Sequence, residues 1–236
     1  MVKQANRRKI KGTLDLLGEN TLTPEDARTA CKELIRAQDR MDKERADCNL
    51  SIKLTQIGLN LDPLFCEQNL VRIAEHAKNL GNFVRVDMED STCTDRTLEI
   101  VERTYRNLGN VGTVIQAYLY RSEWDAVRMV KKGIRIRLVK GAYREPEGVA
   151  FRRKKETDAN YVKLMKVLLE NGTYPAIATH DGSIIQAAKE FVQSKNIPKE
   201  SFEFQMLYGI RRDLQRLLAR DGYNAVSYTH LTLPTN

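Results

Sequence analysis

The chain has 236 residues, of which 39 are basic and 31 acidic, for a formal net charge of +8, with 42% hydrophobic and 30% charged residues. That leaves room for one large domain or two small ones, with the composition of a soluble globular protein. No run approaches the ~20 apolar residues of a membrane-spanning helix, residues 1–8 lack the apolar stretch of a signal peptide, and no basic run interleaves with aromatics as nucleic-acid modules do, so nucleic acid is not an expected partner.

Strand-like runs begin near Gly12, Leu50, Phe83, Gly112, Ile134, Pro175 and Phe202, with helical patterns between them. Their spacing of roughly 20–40 residues predicts a parallel α/β fold. The first helix opens at Thr23-Pro24-Glu25-Asp26, which supplies a cap, a proline suited to the first turn and two carboxylates for the helix dipole. Ala27, Ala30, Cys31, Leu34 and Ile35 then recur at helical spacing. Further helices are predicted over 94–108, 123–131, 154–170, 184–194 and 211–219, with Gly109, Gly133, Gly172 and Gly222 as stops.

Within the strands, apolar and polar faces alternate. Leu50, Ile52 and Leu54 oppose Ser51, Lys53 and Thr55; Val84, Val86 and Met88 oppose Arg85, Asp87 and Glu89. Closing such strands on themselves gathers the polar faces inside, where charge is costly unless it is paired or meets a ligand. An eight-unit barrel needs about 250 residues. Seven units and a remnant are visible, so the expectation is an α/β, TIM-like (β/α)8 barrel over residues 1–224 with an incomplete eighth unit. Residues 225–236 are expected to fall outside it as a tail that holds a short strand at most, ended by Pro234.

The cysteines, Cys31, Cys48, Cys66 and Cys93, form no C-x-x-C pair, and His76, His180 and His230 are scattered. Reduced thiols, no metal site and a cytoplasmic location are therefore expected. The sharpest candidate segment is Ile134-Arg135-Ile136-Arg137-Leu138-Val139-Lys140-Gly141-Ala142-Tyr143. In a barrel its end lies at the active-site face, and Gly141 lets a ligand approach the backbone. Arg137 is suited either to hydrogen bonding a planar electron-rich ring or to pairing with Asp87 or Glu203. Lys53 has three readings: a carboxylate anchor, a Schiff-base amine, or a partner of Asp15 or Asp87. Asp87 is better suited to pairing than to proton abstraction, since an ordinary Asp titrates near about 3.9. Gln116 either completes a hydrogen-bond network or touches a cofactor, and Thr179-His180 ends a strand without deciding its own role. Neither a dinucleotide-binding glycine fingerprint nor a P-loop is present.

Taken together, these segments resemble the proline dehydrogenase family. The matching stretches run in family order: Lys11 to Glu19, Ser51-Ile-Lys-Leu-Thr55, Val84 to Ser91, Gln116-Ala-Tyr-Leu, Arg137-Leu-Val-Lys-Gly-Ala-Tyr143, Ala178-Thr-His-Asp181 and Phe202 to Gly209. The resemblance implies an FAD-containing barrel that oxidises L-proline to Δ1-pyrroline-5-carboxylate. It implies Asp87 and Arg137 as catalytic residues, with Lys53 and Leu138 as substrate contacts. FAD contacts would come from Met88, Gln116, Lys140, Gly141, Ala142, Arg153, Lys154, Thr179 and His180. Membrane quinone is the implied electron acceptor, with peripheral association at the inner face of the cell membrane.

The resemblance stops at Tyr223: the family's eighth-unit tyrosine and arginine pair have no counterpart in the residues that follow. The expectation is a truncated, open barrel with exposed strand edges and weak or absent turnover. Two competing readings are a lyase or aldolase barrel using Lys53 or Lys140 as a Schiff base, and a basic, non-catalytic binding module.

Overall fold

The computed structural model describes residues 2–231. Eight parallel strands close into a barrel in chain order: β1 (Ile10–Leu16), β2 (Cys48–Ile52), β3 (Val84–Val86), β4 (Val111–Gln116), β5 (Arg135–Val139), β6 (Ala176–Ala178), β7 (Glu203–Leu207) and β8 (Asn224–Leu231). A short helix, α1 (Val2–Asn6), precedes β1. The helices that follow the strands are α2 (Pro24–Lys43), α3 (Pro63–Asn79), α4 (Thr94–Leu108), α5 (Ser122–Lys131), α6 (Lys154–Asn171), α7 (Gly182–Ser194) and α8 (Arg212–Arg220).

The local signals explain the element boundaries. The Thr23 side chain accepts from the Asp26 amide and Pro24 opens α2, as the sequence predicts. The same device begins α3, which the sequence reading did not delimit: Asp62 accepts from the amides of Leu64 and Phe65, and Pro63 follows it. Gly109 ends α4 at φ 77°. One large core lies between the outward strand faces and the helices and includes Leu34, Leu50, Ile52, Leu70, Val84, Val86 and Leu138.

The open barrel expected from the sequence does not form. β8 pairs with β7 and with β1, from Ile10 opposite Ala225 to Leu16 opposite Leu231. Residues 225–231, expected outside the barrel, are thus its eighth strand. The reason is that strand pairing is made by the main chain: β1 and β7 each present unpaired amides and carbonyls, and a stretch rich in β-branched and aromatic residues satisfies both. Pro234 lies outside the described residues.

Inside the barrel the lining is polar rather than the branched apolar layers usual for this architecture. Thr13, Asp15, Ser51, Arg85, Asp87, Thr113, Arg137, Glu203 and Gln205 are all buried. Strand alternation puts them there, and the bonds of Arg137 to Asp87, Ser51 and Thr13, of Gln205 to Glu203 and of Arg85 to the Thr113 and Arg135 carbonyls offset part of the cost.

Candidate active site

Arg137, on β5, is 3% exposed, and its guanidinium reaches across the barrel. Nη1 donates to Asp87 at 2.5 Å and to Ser51 Oγ at 3.2 Å, and Nη2 to Thr13 Oγ1 at 3.4 Å. Ser51 donates to the same Asp87 oxygen at 2.7 Å. Three strands therefore fix one ion pair, whose buried setting makes each bond count for more than at a surface. The Tyr228 hydroxyl donates to Asp15 at 2.8 Å and lies 3.1 Å from Asp87, and the Arg137 guanidinium sits 5.1 Å from its ring centroid. Burial and the charges of Asp87 and Asp15 raise the Tyr228 pKa and hold its phenol protonated.

Lys53 follows β2 directly. Its ammonium is 2.8 Å from Glu19 and 3.7 Å from Asp15. Burial alone would lower its pKa, but the Glu19 hydrogen bond and the Asp15 charge outweigh burial and raise it. Lys140 behaves alike: burial is overcome by Asp158 at 2.5 Å and Asp181 at 3.0 Å. Both amines are thus held as cations, whereas a Schiff-base lysine needs the neutral form.

Of these groups Lys53, Asp87, Arg137, Lys140, Asp181 and Tyr228 line one cavity of about 540 Å³ at the C-terminal ends of the strands, well inside the roughly 300–1,000 Å³ of small-molecule sites. Ten of the thirteen predicted site residues line it: Lys53, Asp87, Met88, Gln116, Arg137, Lys140, Gly141, Ala142, Thr179 and His180. Met88 and Asp87 both reach the cavity despite their opposite parity because β3 ends at Val86 and strict alternation stops there. Gln116 donates to the Glu89 carbonyl at 2.8 Å, as its network reading requires, and also lines the cavity. His180 Nε2 accepts from the Leu207 amide at 2.9 Å, and burial followed by the Arg211 charge lowers its pKa. Its imidazole is therefore neutral at pH 7, with the proton on Nδ1.

Three predicted residues lie elsewhere. Leu138 is fully buried in the core outside the barrel, because its neighbour Arg137 takes the inward position. Arg153 caps α6 through its backbone amide, which donates to Glu156 at 3.3 Å. Lys154 is three-quarters exposed and pairs with Asp158, one residue removed from the cavity wall. Conversely, the cavity gains Val114, Val139, Tyr143, Ala178, Asp181, Gln205, Met206, Leu207 and Tyr228. The Gln205 position is legible in the alternation of β7. Tyr228 sits in the stretch set aside as a tail, and Glu19 follows β1 in a loop that carries no periodicity.

The turn that forms one wall is sterically fixed. Gly141 has φ 116°, and a Cβ there would come 2.2 Å from the Tyr118 ring. Tyr118 is held in turn by Glu145, whose carboxylate accepts from the Tyr118 hydroxyl at 2.9 Å and from the Ser91 amide at 3.0 Å. Two buried polar atoms of cavity-lining side chains, the donor Arg137 Nε and the acceptor Gln205 Oε1, have no hydrogen-bond partner among the described residues.

Comparison with known proteins identifies the family. The family profile "Proline dehydrogenase" matches residues 1–232. The chain belongs to the proline dehydrogenase family. It is 40% identical over 227 residues to Proline dehydrogenase 1 of Bacillus subtilis (strain 168), covering 96% of this chain and 75% of that one. To the Proline dehydrogenase of Deinococcus radiodurans it is 41% identical over 232 residues, with the same two shares. Among solved structures, proline utilization A (PutA) from Bdellovibrio bacteriovorus, inactivated by N-propargylglycine, superposes with a TM-score of 0.91 at 28% identity, covering 98% of this chain and 29% of that one. The chain thus spans three quarters of the length of these curated dehydrogenases and under a third of that larger protein. Oxidation of proline, the first step of its breakdown, is the activity of the family. No helix among the described residues is long and apolar enough to cross a membrane.

Proposed function

We propose that the barrel oxidises L-proline to Δ1-pyrroline-5-carboxylate, with FAD bound in the cavity as the two-electron acceptor. The observation that carries this reading is the convergence of Lys53, Asp87 and Arg137 on one cavity in a chain of this family. The residues present suit a flavin: a buried unpartnered donor and a buried unpartnered acceptor belong to side chains that line a cavity with apolar walls at Val114, Val139 and Met206. Arg137, Gln116, Met88, the Lys140-Gly141-Ala142 turn and Thr179-His180 would hold it, and bound FAD supplies the hydride-accepting ring.

The chain's own side chains then set the substrate. Lys53, kept charged by Glu19 and Asp15, presents a cation to the proline carboxylate. Asp87, Ser51 and Thr13 fix the Arg137 guanidinium, so no reorganisation is needed when charge shifts in the transition state. Leu207 and Val139 add apolar surface to the same cavity wall. The substrate loses hydride from the ring carbon next to nitrogen and a proton from nitrogen, which leaves a C=N bond; solvent takes the proton. Membrane quinone would reoxidise the cofactor, with the protein held peripherally at the inner face of the membrane. The Schiff-base alternative has no support in the charged state of Lys53 and Lys140.

The test is formation of Δ1-pyrroline-5-carboxylate from L-proline with a soluble quinone, together with exposure to N-propargylglycine, which shares the amine and carboxylate. Product formation, and time-dependent inactivation that proline slows, are expected. Absence of product from a flavin-loaded protein would overturn the assignment.

A further inference from the structure

Gln205, on β7, is 2% exposed and forms part of the cavity wall. Its amide has two ends with different fates. Nε2 donates to Glu203 Oε1 at 2.5 Å, and Glu203, two residues earlier on the same inward face, is not part of the cavity wall. The carboxylate fixes which way the amide points, because an acceptor facing that oxygen would be repelled. The other end, Oε1, is buried without a hydrogen-bond partner among the described residues. A buried acceptor left unmet is a standing cost, removed when a donor arrives.

The ligand that brings the donor is indicated by position around the barrel. Lys53, which lines the cavity just after β2, is the residue proposed above to meet the substrate carboxylate. Gln205 pairs in register with Ala178 of β6, and the next residues along, Thr179 and His180, are on the side assigned to the cofactor. We infer that Gln205 is a cofactor-binding residue, whose side-chain carbonyl accepts a hydrogen bond from an N–H or O–H group of the bound flavin. This rests on the flavin reading above.

The experiment is titration of the apo protein with FAD, followed by flavin fluorescence, for the unaltered chain and for Gln205→Met. Methionine keeps the length and removes the acceptor. It also removes the bond to Glu203, but that loss is common to the free and loaded protein and cancels in the FAD Kd. The expected result is a Kd raised about five- to tenfold, the value of one neutral hydrogen bond, with the KM for proline within twofold. If Gln205→Met does not fold, as judged by circular dichroism of the apo protein, Gln205→Asn, which draws the amide back by one methylene, serves for the same comparison. An unchanged FAD Kd, or an unchanged Kd with a raised proline KM, would overturn the inference while leaving the flavin reading intact. An unaltered chain that takes up no FAD would instead sink that reading.

Discussion

The Arg137–Asp87 pair anchors the barrel interior at the scale of single residues. Both partners are buried, and Asp87 also accepts from Ser51 and has the Tyr228 hydroxyl 3.1 Å away, so removing the carboxylate strands a guanidinium in the barrel. Asp87→Ala should destabilise the protein by about 3–5 kcal/mol, measured by urea denaturation; a loss below ~1 kcal/mol would show that the arginine finds solvent or another partner. Lys53 makes a different prediction, since the role proposed for it is to bind. Lys53→Met should raise the proline KM about 10- to 100-fold, the value of a charge-assisted hydrogen bond, with kcat little changed. An effect on kcat alone would place Lys53 in the chemical step. His180 responds to pH. The fold lowers its pKa, so its stabilising contribution is fully present above about pH 6.5, the ordinary imidazole value, and is lost as pH falls toward the folded-state value. Protonation also breaks the Leu207 contact. An NMR titration of His180 should therefore show a midpoint below that of a free imidazole, and a midpoint above it would contradict the neutral assignment.

Among the elements, the turn after β5 is the least tolerant. Gly141→Ala meets both a φ of 116° and the Tyr118 ring, and should cost about 1–3 kcal/mol while weakening FAD retention; a variant with unaltered thermal unfolding and cofactor content would show that the turn is free to move. The strand and helix signals were largely readable in the sequence, because period-2 alternation and capping residues are local. The α4 prediction of 94–108 matches Thr94–Leu108, and 154–170 falls one residue short of α6. What was not readable depended on partners far along the chain. The place of the eighth strand in the barrel is set by its pairing with β1 and β7, which its local sequence does not reveal. Glu19 reaches Lys53 from a loop. Leu138 was assigned from family resemblance against the parity that the sequence itself displays, and the parity was the better guide.

At the scale of the whole molecule, closure of the barrel turns seven alternating polar faces and an eighth strand into one charged interior beneath one cavity. The apo protein therefore carries unmet buried polar atoms that a bound cofactor would satisfy. FAD should raise the thermal unfolding midpoint in proportion to the logarithm of its concentration, with about 2.7 kcal/mol gained at 100 times its Kd. The most direct measurement of the central claim is the visible spectrum of the purified, FAD-loaded chain, recorded without oxygen or other acceptor before and after L-proline is added. Loss of the flavin absorbance in step with the appearance of Δ1-pyrroline-5-carboxylate is predicted, and a chain that stays colourless in FAD, or one whose flavin band is unaffected by L-proline, would contradict it.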